Sequence, residues 1–204
     1  MRTFLFIALL LPAVLAATRA HAIEGDAPSI TAKATQPSPA TWHLGLGYAF
    51  ANYPQSYQAV VDTLKREGAS HLPFAFDVGY YHPHFYENSL FGVCIRGFRD
   101  TYHVQNDSAS TTEAGVYASF LHFFGPAKNL GWMARSDLGL ATIGESVYGN
   151  SNTTSSTGFG VTAGGGYAWQ FNDSLNLIAQ GTLAYRHVNR YGYSDFSFTI
   201  GTLF

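Results

Sequence analysis

Large apolar residues occupy every second position in eight separate stretches of the chain after residue 40. Successive side chains of a β-strand point to opposite faces, so a period of two predicts a strand with one apolar face. In the last stretch the positions between the apolar residues are small or polar, as at Asp195 and Ser197. The apolar face of that stretch comprises Phe196, Phe198, Ile200, Thr202 and Phe204. The pattern predicts eight strands, each with two chemically different faces.

The contrast between the two faces favours one kind of barrel. In the first stretch, the large residues Trp42, Leu46 and Phe50 alternate with small residues such as Gly45 and Gly47. A soluble eight-stranded barrel would fill its interior with the large apolar side chains and turn its polar ones towards water. Here the small and ionic residues suit a narrow interior better. We predict an all-β fold, an eight-stranded antiparallel up-and-down transmembrane β-barrel.

Polar and glycine-rich stretches separate the predicted strands. If both chain termini lie in the periplasm, the first, third, fifth and seventh connections face outwards. Three of these four are expected to be longer than the inner turns, and a short helix is predicted over residues 58–67 in the first. The fifth connection, rich in Asn, Ser and Thr, is expected to be mobile. The four outward connections span residues 54–71, 103–110, 144–157 and 187–193.

The segment before the first strand has the features of an export signal. Arg2 precedes an apolar run from Phe4 to Ala17, and Ala20-His21-Ala22 provides a cleavage point, so residues 1–22 are predicted to be a signal peptide. Residues 23–40 contain Pro, Ser and Thr without an apolar period and are predicted to be a flexible periplasmic leader. The outer-membrane barrel is then expected to occupy residues 41–204.

Composition narrows the classes of partner and chemistry. Only 12% of the residues are charged and the formal net charge is −2, so we expect no nucleic-acid partner. Cys94 is the single cysteine, which excludes an intramolecular disulfide. His82-Pro83-His84 lacks further metal ligands and is interpreted as an interfacial turn. We expect neither a cofactor nor a metal ion.

The segment from Tyr193 to Phe204 resembles the closing strand of Gram-negative outer-membrane β-barrel proteins, in which alternating apolar positions end on an aromatic residue. Together with Gly45-Leu46-Gly47-Tyr48, it makes the chain similar to the small OmpA-like or OmpW-like barrel group. The resemblance implies a location in the cell outer membrane and contact with its lipid and lipopolysaccharide. It also implies that the barrel-assembly machinery reads an assembly signal formed by Phe196, Phe198, Ile200, Thr202 and Phe204.

Ionic residues fall on the predicted inner faces of several strands. Because an unpaired buried charge is costly, Asp77 and Asp137 are expected to pair with Arg96 or Arg135 at a similar depth. These residues could fill the lumen or line a narrow conducting path. The small interior of eight strands favours a filled lumen. A second group nearer the outer rim is expected to comprise Glu113, Arg186 and Asp195.

The preferred hypothesis for function is a structural or surface-interaction role through the extracellular loops, because function in a rigid barrel concentrates in its loops. One alternative is a small OmpW-like channel for small or apolar solutes. Members of such barrel families differ in activity, so the resemblance by itself does not decide between these functions. The extracellular ligand stays open.

The third hypothesis is a lipid A-modifying enzyme. A deacylase needs a serine activated by histidine and a carboxylate, and the nearest candidates are His187, Ser194 and Asp195, with Glu145 across from them. In the deacylase family a serine follows the histidine by two positions, whereas this chain has Asn189 there. No catalytic residue is therefore assigned.

Arg99 is a charged residue on a predicted apolar face, near the outer end of the third strand. Its guanidinium could contact a lipid phosphate. Extension of the side chain into water explains its position equally well.

Overall fold

A computed structural model describes residues 40–83, 88–104, 107–125, 129–147 and 154–204. The predicted signal peptide, the predicted leader up to residue 39 and the middle of the fifth connection lie outside the described residues. In the part of the chain that is described, no helix is long and apolar enough to cross a membrane.

Eight antiparallel strands follow one another around a closed barrel, which confirms the predicted fold class. A helix between the first two strands confirms the helix predicted over residues 58–67. The barrel closes where Trp42 and Phe204 exchange backbone hydrogen bonds of 2.7 and 3.0 Å. We call this end of the barrel the terminal end, and the opposite end the helix end. The elements are β1 (Thr41–Asn52), α1 (Gln55–Arg66), β2 (Ser70–Pro83), β3 (Ser89–Val104), β4 (Asp107–Phe123), β5 (Gly131–Val147), β6 (Thr154–Asn172), β7 (Leu175–Val188) and β8 (Tyr191–Leu203).

The pairing of neighbouring strands is staggered around the barrel. A path of directly paired residues that starts at Trp42 returns to β1 at Asn52, a shift of 52 − 42 = 10 residues. Strands in barrels are typically tilted by about 35–45° from the axis, and eight of them leave an interior that side chains can fill. The stagger therefore brings residues from different positions along their strands to one depth in the lumen.

The large apolar side chains point away from the barrel axis, as predicted. Trp132, Leu140 and Phe50 are 69%, 66% and 65% exposed. The same outward face of β8 carries Phe196, Phe198, Ile200 and Thr202, and Phe204 directly after the strand is also exposed. Buried and exposed positions alternate along the strands with the predicted parity. The outer wall is therefore a belt of apolar side chains.

Several strands are longer than predicted at the helix end, and their connections are shorter. β7 and β8 are joined by Asn189 and Arg190 alone, both with positive φ, as a tight two-residue hairpin turn allows. Only residues 105–106 separate β3 from β4, and residues 148–153 separate β5 from β6. The expectation of three long outward connections is therefore wrong. The Ser- and Thr-rich segments at the ends of these strands have no apolar face. Extended backbones form hydrogen-bonded pairs even without an apolar face, and β-branched Thr favours the extended conformation.

Helix α1 packs across the barrel mouth at the helix end. Tyr57, Val61 and Leu64 share one helical face, and Val61 and Leu64 are only 1% and 5% exposed. Lys65 and Arg66 lie in the last turn, where the helix dipole favours cations. The buried face joins an apolar cluster whose members from the strands and the first connection include Tyr53, Phe98, Tyr102, Ile143, Val188 and Tyr193. The sequence pattern predicted this helix but not its position over the lumen.

Candidate functional site

Four charged side chains meet in the middle of the lumen, and each is less than 5% exposed. Arg135 lies between two carboxylates: its Nε is 2.9 and 3.0 Å from the Asp137 oxygens, and its Nη2 is 3.2 Å from Asp77 Oδ1. Arg135 Nη1 also donates to Asp77. Arg96 Nη1 donates to Asp137 Oδ2 at 3.1 Å. Two cations and two carboxylates thus form a neutral cluster, which we call the central network (Asp77, Arg96, Arg135 and Asp137).

Uncharged side chains complete the hydrogen bonding of the central network. Gln180 Nε2 donates to Asp77 Oδ2 at 3.0 Å, and Ser119 Oγ donates to Asp137 Oδ1 at 2.5 Å. Sequence reasoning did not assign these partners, although all occupy inward-facing positions of the alternating pattern. Since a buried charge is tolerated when it is paired and hydrogen-bonded, the network suits a packed interior. Arg96 also donates to Thr182 and Ser197, Arg135 donates to Cys94 Sγ at 3.0 Å, and His43 Nε2 lies 3.6 Å from Asp77 Oδ2.

A second ionic group lies nearer the helix end. Arg186 Nη1 is 2.8 Å from Glu113 Oε2 and also contacts the Asp195 carboxylate. The same guanidinium lies 5.9 Å from the centre of the Phe98 ring. The structure thus brings together the three residues that the sequence placed near the outer rim, with one cation serving two carboxylates. We call this group the helix-end trio (Glu113, Arg186 and Asp195).

Apolar side chains close the lumen on both sides of these ionic groups. At the helix end they belong to the cluster under α1 described above. Leu203 and Leu121, which are 2% and 1% exposed, belong to a second apolar cluster at the terminal end. The other members of that cluster are Tyr81, Leu90, Phe123, Met133, Ala168 and Ile178. Buried side chains therefore occupy the barrel interior from one end to the other.

A buried carboxylate near the mouth ties the first connection to the barrel. Asp100 Oδ2 accepts hydrogen bonds from Tyr53 at 2.7 Å and from Tyr102 at 3.2 Å, and its Oδ1 lies 2.5 Å from His71 Nε2. Burial and the nearby Asp100 carboxylate raise the pKa of the Tyr53 phenol, so Tyr53 stays a hydrogen-bond donor. Sequence reasoning missed this cluster. The signal was available, because Asp100 shares the inward parity of Arg96.

The residues considered for a lipid A-modifying enzyme do not converge. His187 is exposed on the outer face of β7, where its ring lies 5.6 Å from that of Phe159. Ser194 shares the outward parity, opposite Tyr185. Asp195 points into the lumen and binds Arg186. A carboxylate on the opposite side of the wall cannot orient His187 as a triad requires.

The described part of the chain contains no group of three or more His, Cys, Asp or Glu side chains arranged to hold a metal ion. His84, the second histidine of the His82-Pro83-His84 turn, lies outside the described residues. His122 of β4 forms a hydrogen bond of 2.8 Å with Ser89 of β3.

Three features together define a class of protein. They are the apolar outer belt, the closed ring of eight strands and the lumen filled with paired charges. The protein has the fold of the small outer-membrane β-barrels. No protein-family model and no curated protein matches the sequence.

Two solved structures show the likeness. Neisserial surface protein A superposes with a TM-score of 0.56 at 14% sequence identity, over 83% of this chain and 98% of that one. Ail, the attachment invasion locus protein of Yersinia pestis, superposes with a TM-score of 0.54 at 12% identity, over 81% and 97%. The Ail structure is a complex with the heparin analogue sucrose octasulfate. At these identities the comparisons establish the fold.

Proposed function

We propose that the protein is a non-conducting barrel of the bacterial outer membrane that presents its helix end to the outside as a contact surface. The observation that carries this proposal is the filling of the lumen at every depth. Apolar clusters occupy both ends, and two ionic groups lie between them.

The charges of the lumen are arranged for packing and not for transport. The central network is neutral and each carboxylate has several donors, so a passing ion would have to replace short, buried hydrogen bonds. Conduction requires sites that bind weakly enough for release. Val61 and Leu64 of α1 further cover the helix end.

Two of the solved structures support a contact role. One is a surface protein, and the other is an attachment invasion locus protein that holds a sulfated ligand. A contact role of this kind fits a barrel whose interior is closed and whose helix end carries exposed polar residues, such as Lys65 and Arg66 of α1.

Single-channel recording tests the closed lumen. The protein reconstituted in a planar bilayer is expected to give no steady conductance, because the paired charges and apolar clusters in the lumen leave no continuous aqueous path. A porin reconstituted in the same way serves as the positive control, and a shift between unheated and boiled samples on a gel verifies that the inserted protein is folded. Steady conductance would contradict the proposal and favour the OmpW-like channel.

Cysteine labelling tests the orientation. Cys94 is the single cysteine and is 1% exposed, so added cysteines can be labelled against a low background. Glu67→Cys at the end of α1 should react with a membrane-impermeant maleimide on intact cells. Asp173→Cys in the β6–β7 turn at the terminal end should react only after the cells are broken. Labelling of Asp173→Cys alone on intact cells would reverse the orientation and place α1 in the periplasm.

A further inference from the structure

Arg99 is the one Asp, Glu, Lys or Arg residue at an outward-facing position of the described strands. Its side chain is exposed, and it forms no hydrogen bond or ion pair with any described residue. By contrast, the arginines at inward-facing positions of the strands all contact carboxylates. These are Arg96, Arg135 and Arg186. Arg99 therefore carries a permanent positive charge on the apolar outer wall, and no acidic side chain of the described residues pairs with it.

The height of Arg99 on the wall matches the edge of the apolar belt. Arg99 pairs across the strands with Phe74 on one side and Thr112 on the other. The next outward positions of β3 towards the helix end are Thr101 and His103, whereas towards the middle they are Gly97 and Ile95. On β3 the guanidinium thus lies where apolar residues give way to polar ones, while the exposed Leu72 extends the apolar face of β2 by one outward position. This is the level of lipid headgroups.

Small residues form the wall directly below Arg99, where Gly97 of β3 pairs with Ala114 of β4. Only glycine fits at position 97, because a Cβ atom there would lie 2.0 Å from the Glu113 carbonyl oxygen. Phe76 and Thr142 pair with these two residues on their other sides. Because Gly97 is buried against the backbone of β4, the wall beneath the cation is close-packed, and the exposed polar neighbour of Arg99 is its pairing partner Thr112.

We propose that Arg99 and Thr112 bind a phosphate group of lipid A. A guanidinium and a hydroxyl on directly opposite strand positions can both donate to one phosphate. In a zwitterionic phospholipid the ammonium of the headgroup offsets the phosphate charge, whereas lipid A carries phosphates without an internal cation. The site rests on the proposed function, because it requires the helix end to face the outer leaflet.

Native mass spectrometry of the protein in phosphatidylcholine nanodiscs tests the site, with bisphosphorylated lipid A as the probe. We expect Arg99→Gln to weaken binding about tenfold, the effect of one hydrogen bond to a charged group. Removing the phosphates from lipid A should weaken binding to wild type by a similar factor. Arg190→Gln in the β7–β8 turn is the matched control for loss of one exposed positive charge, and it should leave binding unchanged. The gel shift between unheated and boiled samples verifies folding of each variant.

Three results would overturn the site: equal binding of dephosphorylated lipid A, equal binding by Arg99→Gln, or equally tight binding of phosphatidylglycerol, which would reveal a general anionic-lipid surface. None of these results bears on conductance or orientation. Conversely, reversed cysteine labelling would refute the outward orientation without affecting the binding measurement.

Discussion

Replacing Arg135 by methionine should lower the free energy of unfolding by about 3–5 kcal/mol, the usual cost of stranding a buried charge. Among the described arginines and lysines, only Arg135 contacts Asp77, and it also binds Asp137 through Nε. Without it, the lumen keeps two carboxylates and one guanidinium in the central network. Urea unfolding in lipid vesicles, followed by tryptophan fluorescence, measures the loss.

The double variant Asp77→Asn/Arg135→Met should recover much of that loss. It leaves Arg96 and Asp137 as a neutral pair that keeps its 3.1 Å contact. Arg66→Met on the exposed face of α1 is the control for removal of an arginine, and it should change stability by no more than about 0.5 kcal/mol. Equal losses in the single and double variants would show that the two charges are not coupled.

The substitution Val61→Asp should release α1 from the barrel mouth. Val61 is 1% exposed, so an aspartate there would be an unpaired charge inside an apolar cluster, at a cost of several kcal/mol. The neighbouring Val60 is 39% exposed, which makes Val60→Asp a matched control with the same change of side chain. The two variants differ only in the face of the helix that receives the charge.

Trypsin digestion in intact vesicles provides the measurement. Val61→Asp should be cut after Lys65 or Arg66 at least about tenfold faster than Val60→Asp, because proteolysis follows the population of the opened state. The barrel itself should resist digestion in both variants, since its strands are paired all round. Similar cleavage rates would mean that the apolar face of α1 does not hold the helix in place.

The period of two in the sequence was sufficient to predict the strands and the face of each ionic residue. A strand has only two faces, so alternation alone sends Asp77, Arg96 and Asp137 inwards and Phe198 and Ile200 outwards. The fold class follows because large residues on one face and small or ionic residues on the other favour a lipid-facing barrel over a soluble one. These properties depend on local order along the chain, which the sequence displays directly.

Contacts within the lumen could not be predicted in the same way. Which acid meets which base depends on the ten-residue stagger, and many staggers are compatible with the same alternation. Asp137 contacts Arg96 of β3 because of this stagger, whereas its contact with Arg135, two residues away on the same face of β5, is local. The position of α1 and the bond between Tyr53 and Asp100 also depend on closure of the barrel, so local pattern does not reveal them.

The strands at the helix end continue almost to their turns, so a large part of the presumed loop surface is already ordered sheet. Ordering a flexible backbone costs about 1–2 kcal/mol per residue at the moment of binding. A partner that docks on the β3–β4 or β7–β8 hairpin would avoid most of this entropic cost. Recognition there would resemble rigid docking, with specificity fixed by the shape of two-stranded ribbons and not by adaptation of loops.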